Sequence, residues 1–304
     1  RTEAYGTYFG GGIFGDNSEI SDTVFIKNIV ISNNTSEEEE NGDSRGGGIQ
    51  FVNVIADLQR VEVSFNNAET GPGIFAINSH LMLKNCTIVG NQPGNNYVHG
   101  GAILLKQVEG INDPIYTYIT NSIIWDNWSS ETYGSQIGGE GDWFYNRLIL
   151  NNTDIQGFSC HDPFNVCESY AYEEEDLWFY DFMSNYNDDY EPGFISYDGL
   201  NNSDFQLAET SEAIDAGADY IVGVDDITGE EIIIIDLDCN EFNGDAPDLG
   251  AYETDGISGC GEEVGDGDLN GDGIVNVLDI VIVVNLVLDS DYAASGDMNG
   301  DGVL

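Results

Sequence analysis

Val24–Asn34 reads VFIKNIVISNN and Leu81–Asn91 reads LMLKNCTIVGN. Each stretch is an alternating apolar run, an Asn, a second short apolar run, then Asn or Gly. The pattern returns in Asp57–Asn67 (DLQRVEVSFNN), Thr117–Asn127 (TYITNSIIWDN) and Leu148–Gly157 (LILNNTDIQG). Glycine-rich starts alternate with these runs: Gly10–Phe14 (GGGIF), Gly46–Phe51 (GGGIQF), Gly71–Phe75 (GPGIF) and Gly100–Leu104 (GGAIL). The anchors Asn28, Val61, Asn85, Asn121 and Asn152 recur at intervals of 24 to 36 residues. Self-similarity at such a period is the mark of a stacked repeat.

Within a run, alternation sends one side chain inward and the next outward, as in a strand. Short β-type runs with Asn and Gly at the corners describe a solenoid of parallel strands. Asparagine tolerates left-handed backbone, and its amide can bond to the Asn one coil above. Glycine bends the chain where a Cβ would clash. The corner asparagines are therefore expected to be structural.

These motifs resemble secreted right-handed parallel β-helix proteins of the Pectin-lyase-like superfamily. Pro192–Ile195 (PGFI), Asp204–Leu207 (DFQL), Ser211–Gly217 (SEAIDAG) and Asp245–Glu253 (DAPDLGAYE) resemble the stretch that ends the helix in many bacterial surface proteins of this type. The resemblance covers roughly residues 5–253. It implies an all-β fold, with residues 1–255 as the β-helix, and says little about chemistry, because that fold hosts lyases, hydrolases, adhesins and spacers.

Residues 168–191 interrupt the repeat with ESYAYEEEDLWFYDFMSNYNDDYE. Tyr170, Tyr172, Trp178, Tyr180 and Tyr186 could form a stacking platform for a carbohydrate, because rings offer sugars flat apolar faces. The plainer expectation is a loop or short helix packing Leu177, Trp178 and Phe182 onto the solenoid. The insertion is nevertheless the place where a ligand on the main domain is expected.

Composition narrows the partners. The 304 residues carry 7 Lys+Arg against 56 Asp+Glu, a net charge of −49. Hydrophobic residues make up 41%, enough for a core, so the acidity does not imply disorder. Nucleic acid, anionic lipid and polyanionic sugar would be repelled. The basic residues are Arg1, Lys27, Arg45, Arg60, Lys84, Lys106 and Arg147, so residues 148–304 hold 38 acids and no Lys or Arg. Carboxylates at that density call for screening salt or bound divalent cations, which points to a saline, calcium-containing setting such as seawater or a brine. Most of these acids are expected simply to be a solvated surface.

Of the five cysteines, Cys86 lies in a strand-like run that suits a buried thiol. Cys160 with Cys167, and Cys239 with Cys260, could pair. No signal peptide or membrane span is visible. The chain starts at Arg1, which reads as processed or incomplete, and the longest apolar stretch, Ile280–Leu288, is too short to cross a bilayer.

After a linker at 256–267 comes DLNGDGIVNVLD. Oxygen-bearing side chains fall at loop positions 1, 3, 5, 9 and 12 as Asp268, Asn270, Asp272, Asn276 and Asp279. Gly273 occupies the sixth position, where the loop must turn, and Ile274 offers its carbonyl at the seventh. This is EF-hand-type spacing for Ca2+, a hard cation that takes about 6–8 oxygens. Asp297, Asn299, Asp301 and Gly302 repeat positions 1, 3, 5 and 6. The run Leu278–Leu288 is expected to continue as a buried helix or strand, and its apolar length suits a short helix beside the loop. Residues 268–304 resemble a dockerin type I module with its second repeat incomplete. That resemblance implies a cohesin-like partner, or self-assembly, through the module. Val277 and Leu278, where cohesin contacts would fall, are apolar and leave the partner open.

Two functions are thus carried forward, beside a third, a repeating subunit of a filament or surface layer, which would show as calcium-dependent assembly in light scattering. One is a non-catalytic, calcium-binding surface or adhesive protein, secreted or at the cell surface, whose loops bind, for instance, a glycan. The other is a polysaccharide lyase or glycoside hydrolase. Lyases of the resembled fold generally use Arg or Lys as base, yet Lys27 and Lys84 look like isolated outward coil residues. An inverting hydrolase needs two carboxyls about 6.5–9.5 Å apart, and Asp126 with Asp154 on adjacent coils is a candidate pair. His80, His99 and His161 are scattered, and no nucleophilic triad, phosphate loop or zinc spacing stands out.

Overall fold

The computed structural model describes residues 11–17, 23–36, 44–92, 101–108, 115–127, 136–141, 146–156, 178–179, 191–197, 204–224, 231–256, 267, 269–270, 274–289 and 293. In chain order the strands are β1 (Ile13–Asp16), β2 (Thr23–Ser32), β3 (Ile49–Val52), β4 (Ile55–Ser64), β5 (Ile74–Ile77), β6 (His80–Lys84), β7 (Thr87–Val89), β8 (Ile103–Gln107) and β9 (Ile115–Thr120). They continue with β10 (Ile123–Trp125), β11 (Ile137–Gly141), β12 (Asn146–Asn151), β13 (Asp154–Ile155), β14 (Trp178–Phe179), β15 (Phe194–Ser196), β16 (Asp204–Leu207), β17 (Tyr220–Val224) and β18 (Glu231–Asp236). A single α-helix is described, α1 (Val277–Asp289). The described fold is mostly β, with parallel sheets.

Each sequence repeat deals one strand into each of three parallel rows. The first row is β1-β3-β5-β8-β11. In the second, the front halves of β2 and β4 are followed by β6, β9, β12 and β14. In the third, the back halves of β2 and β4 are followed by β7, β10 and β13. The corner between the second and third rows is a left-handed residue in every repeat: Asn28, Arg60, Asn85, Asn121 and Asn152, with φ of 44–54°. The sequence alignment had put Val61 at this corner. The backbone pairs Ile29 with Val61 and Lys27 with Gln59, so Arg60 takes the corner. Matching the two repeats by their terminal Asn-Asn pairs slips them by one residue. Such a slip would turn the inward Leu58, Val61 and Val63 outward, so the aliphatic columns decide the register.

Those columns form the main core. Ile49, Leu58, Val63, Ile74, Leu81, Leu83, Ile88, Ile103, Ile119 and Ile124 are all fully buried in one cluster. Between them runs a ladder of side-chain amides at the exit of the third row. The Nδ2 of Asn34 donates to Oδ1 of Asn66 (3.0 Å), 32 residues on. Asn66 does the same to Asn91 (3.0 Å, 25 residues on), and Asn91 to Asn127 (2.7 Å, 36 residues on). Asn127 donates to Oε1 of Gln136 (2.8 Å). Each backbone N–H joins the same acceptor. The expected asparagine ladder therefore exists, but it runs through Asn66 rather than Asn67, and not through the corner anchors.

The segment expected to end a β-helix lies against the outer faces of the parallel rows instead. Phe205 and Leu207 of β16, with Ala213 and Leu249, cover Val89, Ile123 and Trp125, which face away from the main core. The antiparallel hairpin β17–β18 lays Ile221 and Ile234 over Tyr116, Tyr118, Ile149 and Met82. The reason is apolar area: the outer faces of β7, β9, β10 and β12 are hydrophobic and must be buried.

By contacts the chain divides into two units, residues 1–236 with 246–254, and residues 237–245 with 255–304. The second unit thus takes in Leu237–Asp245, from within the stretch expected to belong to the β-helix domain. Cys86 is a free, buried cysteine whose pKa is pushed up to about 12 by burial, as suits an inert thiol. Cys239 is disulfide-bonded. Cys160, Cys167 and Cys260 lie outside the described residues, so the expected pairings are not placed.

Candidate functional site

The corner asparagines, whose amides point out of the coil, hold the flanking cover in place. Asn121 Nδ2 donates to the carbonyl of Ala218 (2.7 Å), and its Oδ1 accepts from the Ala218 N–H (2.9 Å). Asn152 Nδ2 reaches the carbonyl of Ala216 (2.9 Å), and Asn85 Nδ2 that of Asp248 (3.1 Å). Asp248 is fully buried and accepts from the N–H of Asp215 (2.9 Å) on one oxygen and of Thr254 (2.6 Å) on the other. Its carboxylate thus ties the SEAIDAG run to the end of DAPDLGAYE. Glu62, also buried, accepts from Ser64 Oγ (2.5 Å) and from the Tyr252 hydroxyl, whose pKa is raised by burial and then by Glu62 itself. The two motifs near the end of the first unit are therefore a staple.

The catalytic candidates separate. Lys84 lies one strand from Gln59 and two from Lys27 in register, and its ammonium pairs with Asp57 at 3.0 Å. His80 accepts from the N–H of Tyr116 through Nδ1 (3.1 Å) and stacks on its ring, and burial lowers its pKa. It is a neutral packing residue. His99 and His161 lie outside the described residues. Asp154 pairs in register with Ile123, three positions before Asp126, which separates the two along the strand by roughly 10 Å. Their environments differ as well. Asp126 is an exposed left-handed corner whose carboxylate accepts from the Tyr197 hydroxyl, whereas Asp154 is buried. The structure does not assemble them into an acid pair.

Asp154 is the perturbed carboxyl that the sequence did not single out by itself. Its Oδ1 is buried with no hydrogen-bond partner, and burial raises its pKa from 3.8 to about 7. A raised folded-state pKa means that the native chain holds the proton more tightly than the unfolded chain does. Stability is then greatest below about pH 4 and falls as the pH rises to about 7, by roughly 2–4 kcal/mol. Asp154→Asn should remove that part of the slope and leave the protein more stable than the parent at pH 8. Urea titrations of both proteins at pH 5 and pH 8 check this; parallel pH dependences would contradict it.

Of the candidate calcium ligands, Asn270, Ile274, Asn276 and Asp279 are described. Asp268, Asp272, Asp297, Asn299 and Asp301 lie outside the described residues. Among the described residues no group of three or more His, Cys, Asp or Glu side chains converges. Asp279 is almost fully buried and closes the loop: Oδ1 accepts from the N–H of Leu269 (2.9 Å) and Asn270 (3.2 Å), Oδ2 from that of Asn276 (2.8 Å). Those N–H groups, that of Asn276 first, lower its pKa, so its contribution is present above the ordinary carboxylate range and is lost as pH falls through the lowered value. Asn276 caps α1, its Oδ1 accepting from the Leu278 N–H (2.8 Å) while its Nδ2 donates to the Ile274 carbonyl (3.0 Å). The donor set, carboxylate, amide and carbonyl oxygen, fits a hard cation. Both carboxylate oxygens of Asp279 already accept from the backbone, so its part in the site is to close the loop. The run after the loop is helical, as its apolar length suggested, but it is not buried as expected: α1 exposes Val277, Leu278, Ile280, Val281, Val284 and Leu288.

Of the aromatic platform, Tyr170, Tyr172, Tyr180 and Tyr186 lie outside the described residues. Trp178 belongs to β14, which pairs in parallel with β12 opposite Arg147, so this part of the insertion is a strand rather than the expected loop or helix. No helix among the described residues is long and apolar enough to cross a membrane. No family model, curated protein or solved structure matches the chain.

Proposed function

We propose that the chain is a right-handed parallel β-helix that acts as a secreted or cell-surface, non-catalytic, calcium-binding structural or adhesive protein. The three parallel rows, dealt in turn by each repeat, support the β-helix. The right hand follows from the near-universal handedness of parallel crossovers. One observation carries the non-catalytic reading. Four outward polar side chains, Asn85, Asn121, Asn152 and Glu62, are hydrogen-bonded to Asp248, Ala218, Ala216 and Tyr252, so on that flank they are engaged in holding the cover rather than free to act on a substrate.

The loop at 268–279 takes Ca2+ through Asp268, Asn270, Asp272, the Ile274 carbonyl, Asn276 and Asp279, and 297–301 begins a second such loop. The apolar surface of α1 attaches the protein to a cohesin-like partner or to neighbouring copies. The insertion at 168–191 is where a neutral glycan would bind. Incubation with a panel of plant and algal polysaccharides, both neutral and uronate-containing, tests this. We expect retention on some glycans with calcium present, and neither new reducing ends nor unsaturated-uronate absorbance. Depolymerisation of any of them would replace this reading with that of an enzyme.

A further inference from the structure

The antiparallel pair β17–β18 has two apolar faces, and the coils use only one of them. On the inner face Ile221 and Ile234 pack with Tyr116, Tyr118, Ile149 and Met82. A Cβ added at Gly223 would stand 2.8 Å from Ile234 and 3.8 Å from the Tyr118 ring, so the packing there is close. Ile235, which pairs with Ile221, is buried as well.

The outer face carries Tyr220, Val222 and Ile233, exposed by 55%, 38% and 55%. Val222 and Ile233 are directly opposed in the register, and Tyr220 is two residues from Val222 on the same strand. The three side chains therefore form one patch. An antiparallel pair with one face on the core ordinarily turns polar residues to the other. None of the three is needed to hold the hairpin on the coils, because the inner face does that. Apolar side chains gathered on an exposed face inside a polar rim mark an interaction site.

The rim has one sign. Asp236 lies opposite Tyr220, Asp219 precedes Tyr220, and Glu231 stands two residues before Ile233; all three acids are exposed. Along β18, Glu231 and Asp236 bracket the patch at a spacing of roughly 15–17 Å. No Lys or Arg follows Arg147, so residues 148–304 supply no counter-charge.

We infer that the outer face of β17–β18 docks a basic polypeptide. Its apolar anchor lies on Tyr220, Val222 and Ile233, and Lys or Arg at both ends of the anchor face Glu231, Asp236 and Asp219. Charge complementarity selects that occupant. A second copy meeting this face with the same face would oppose acid to acid, and two chains of charge −49 repel one another. Nucleic acid and anionic lipid are repelled for the same reason. The surface is separate from the calcium loop, α1 and residues 168–191, so the inference stands apart from the function proposed above.

The probe is a peptide of about seven residues with lysines at both ends of a Leu-Trp-Leu centre, which matches the spacing of the acids. One control replaces the centre with Ser-Gly-Ser, and the other replaces the lysines with glutamates. In roughly 0.15 M salt with calcium present, the full chain should bind the probe at least about tenfold more tightly than either control. Val222→Thr with Ile233→Thr keeps the β-branched shape and should bring the probe down to the level of the serine control. Glu231→Lys with Asp236→Lys should turn the preference toward the glutamate peptide. Both variants change exposed side chains and should melt close to the parent; if one fails to fold, the other still decides the matter. Equal binding of the probe and the serine control would overturn the inference, because an acidic chain draws any polycation. So would probe binding that neither variant changes. A parent chain that sediments as a dimer and becomes monomeric on Ile233→Lys would also overturn it, because a second copy would then occupy the face.

Discussion

Asn91→Ala is expected to cost the first unit about 3–5 kcal/mol, read as a lower urea midpoint at unchanged slope. The side chain is fully buried and sits in the middle of the ladder. Its Oδ1 accepts from the N–H and the Nδ2 of Asn66, and its Nδ2 donates to the Val63 carbonyl (2.9 Å) and to Asn127 Oδ1 (2.7 Å). Alanine deletes one partner from each bond and leaves the other buried, which costs roughly 1–3 kcal/mol per orphaned group before any relaxation. The control is Asn34→Ala. Asn34 is half-buried at the start of the ladder, with water able to replace its bonds, so about 1 kcal/mol is expected. A domain of this kind has on the order of 5–15 kcal/mol in total, so Asn91→Ala should be marginal at 37 °C while Asn34→Ala folds normally. Equal losses at the two positions would show that the ladder does not hold the coils together.

Removal of calcium should have the larger effect on the second unit. The helix α1 has 13 residues and exposes most of its apolar side chains. Alone it would be marginal, because isolated helices of that length barely form in water. Its start is organised by the loop: Asp279 gathers the N–H groups of Leu269, Asn270 and Asn276, and Asn276 caps the first turn. A cation on the neighbouring carboxylates would also relieve the repulsion of an all-acidic half-chain. Chelation is therefore expected to abolish most slow exchange in Val277–Asp289 and to leave Ile49–Ile124 unchanged. A free-calcium level about 100-fold above the dissociation constant would restore about 2.7 kcal/mol.

Two variants separate the causes. Asp272→Ala removes an expected ligand and should abolish the calcium response. Asp279→Ala removes both the ligand and the loop closure, so it should unfold the helix with calcium present. No heat on titrating calcium into the chelated protein, together with identical exchange in the two states, would refute calcium binding by this loop.

Much of the first unit could be read from its sequence because the chemistry is local and repeated. Alternation in LMLKN and VFIKN fixes which side chains turn inward, and only a few residue types tolerate the left-handed corner at Asn28, Asn85, Asn121 and Asn152. The Arg60 corner was hidden because arginine carries no such signal, and the ladder position of Asn66 was masked by the adjoining Asn67. The 268–279 segment was marked in the sequence only by its spacing of oxygens; the hydrogen bonds of Asp279 to Leu269, Asn270 and Asn276 were not legible, because they depend on backbone groups up to ten residues away.

The sequence by itself determined that strands stack in parallel, that asparagine amides bridge them, and that an acidic, oxygen-rich segment precedes an apolar helix. Each of these is periodic or confined to a dozen residues. Tertiary structure alone decided that the SEAIDAG and DLGAYE runs lie along the flank, that Asp248 staples them there, and that Asp126 and Asp154 stand apart. Those facts depend on contacts between residues as far apart as Asn85 and Asp248, 163 positions along the chain, where apolar faces seek cover and no local pattern records which segment will supply it.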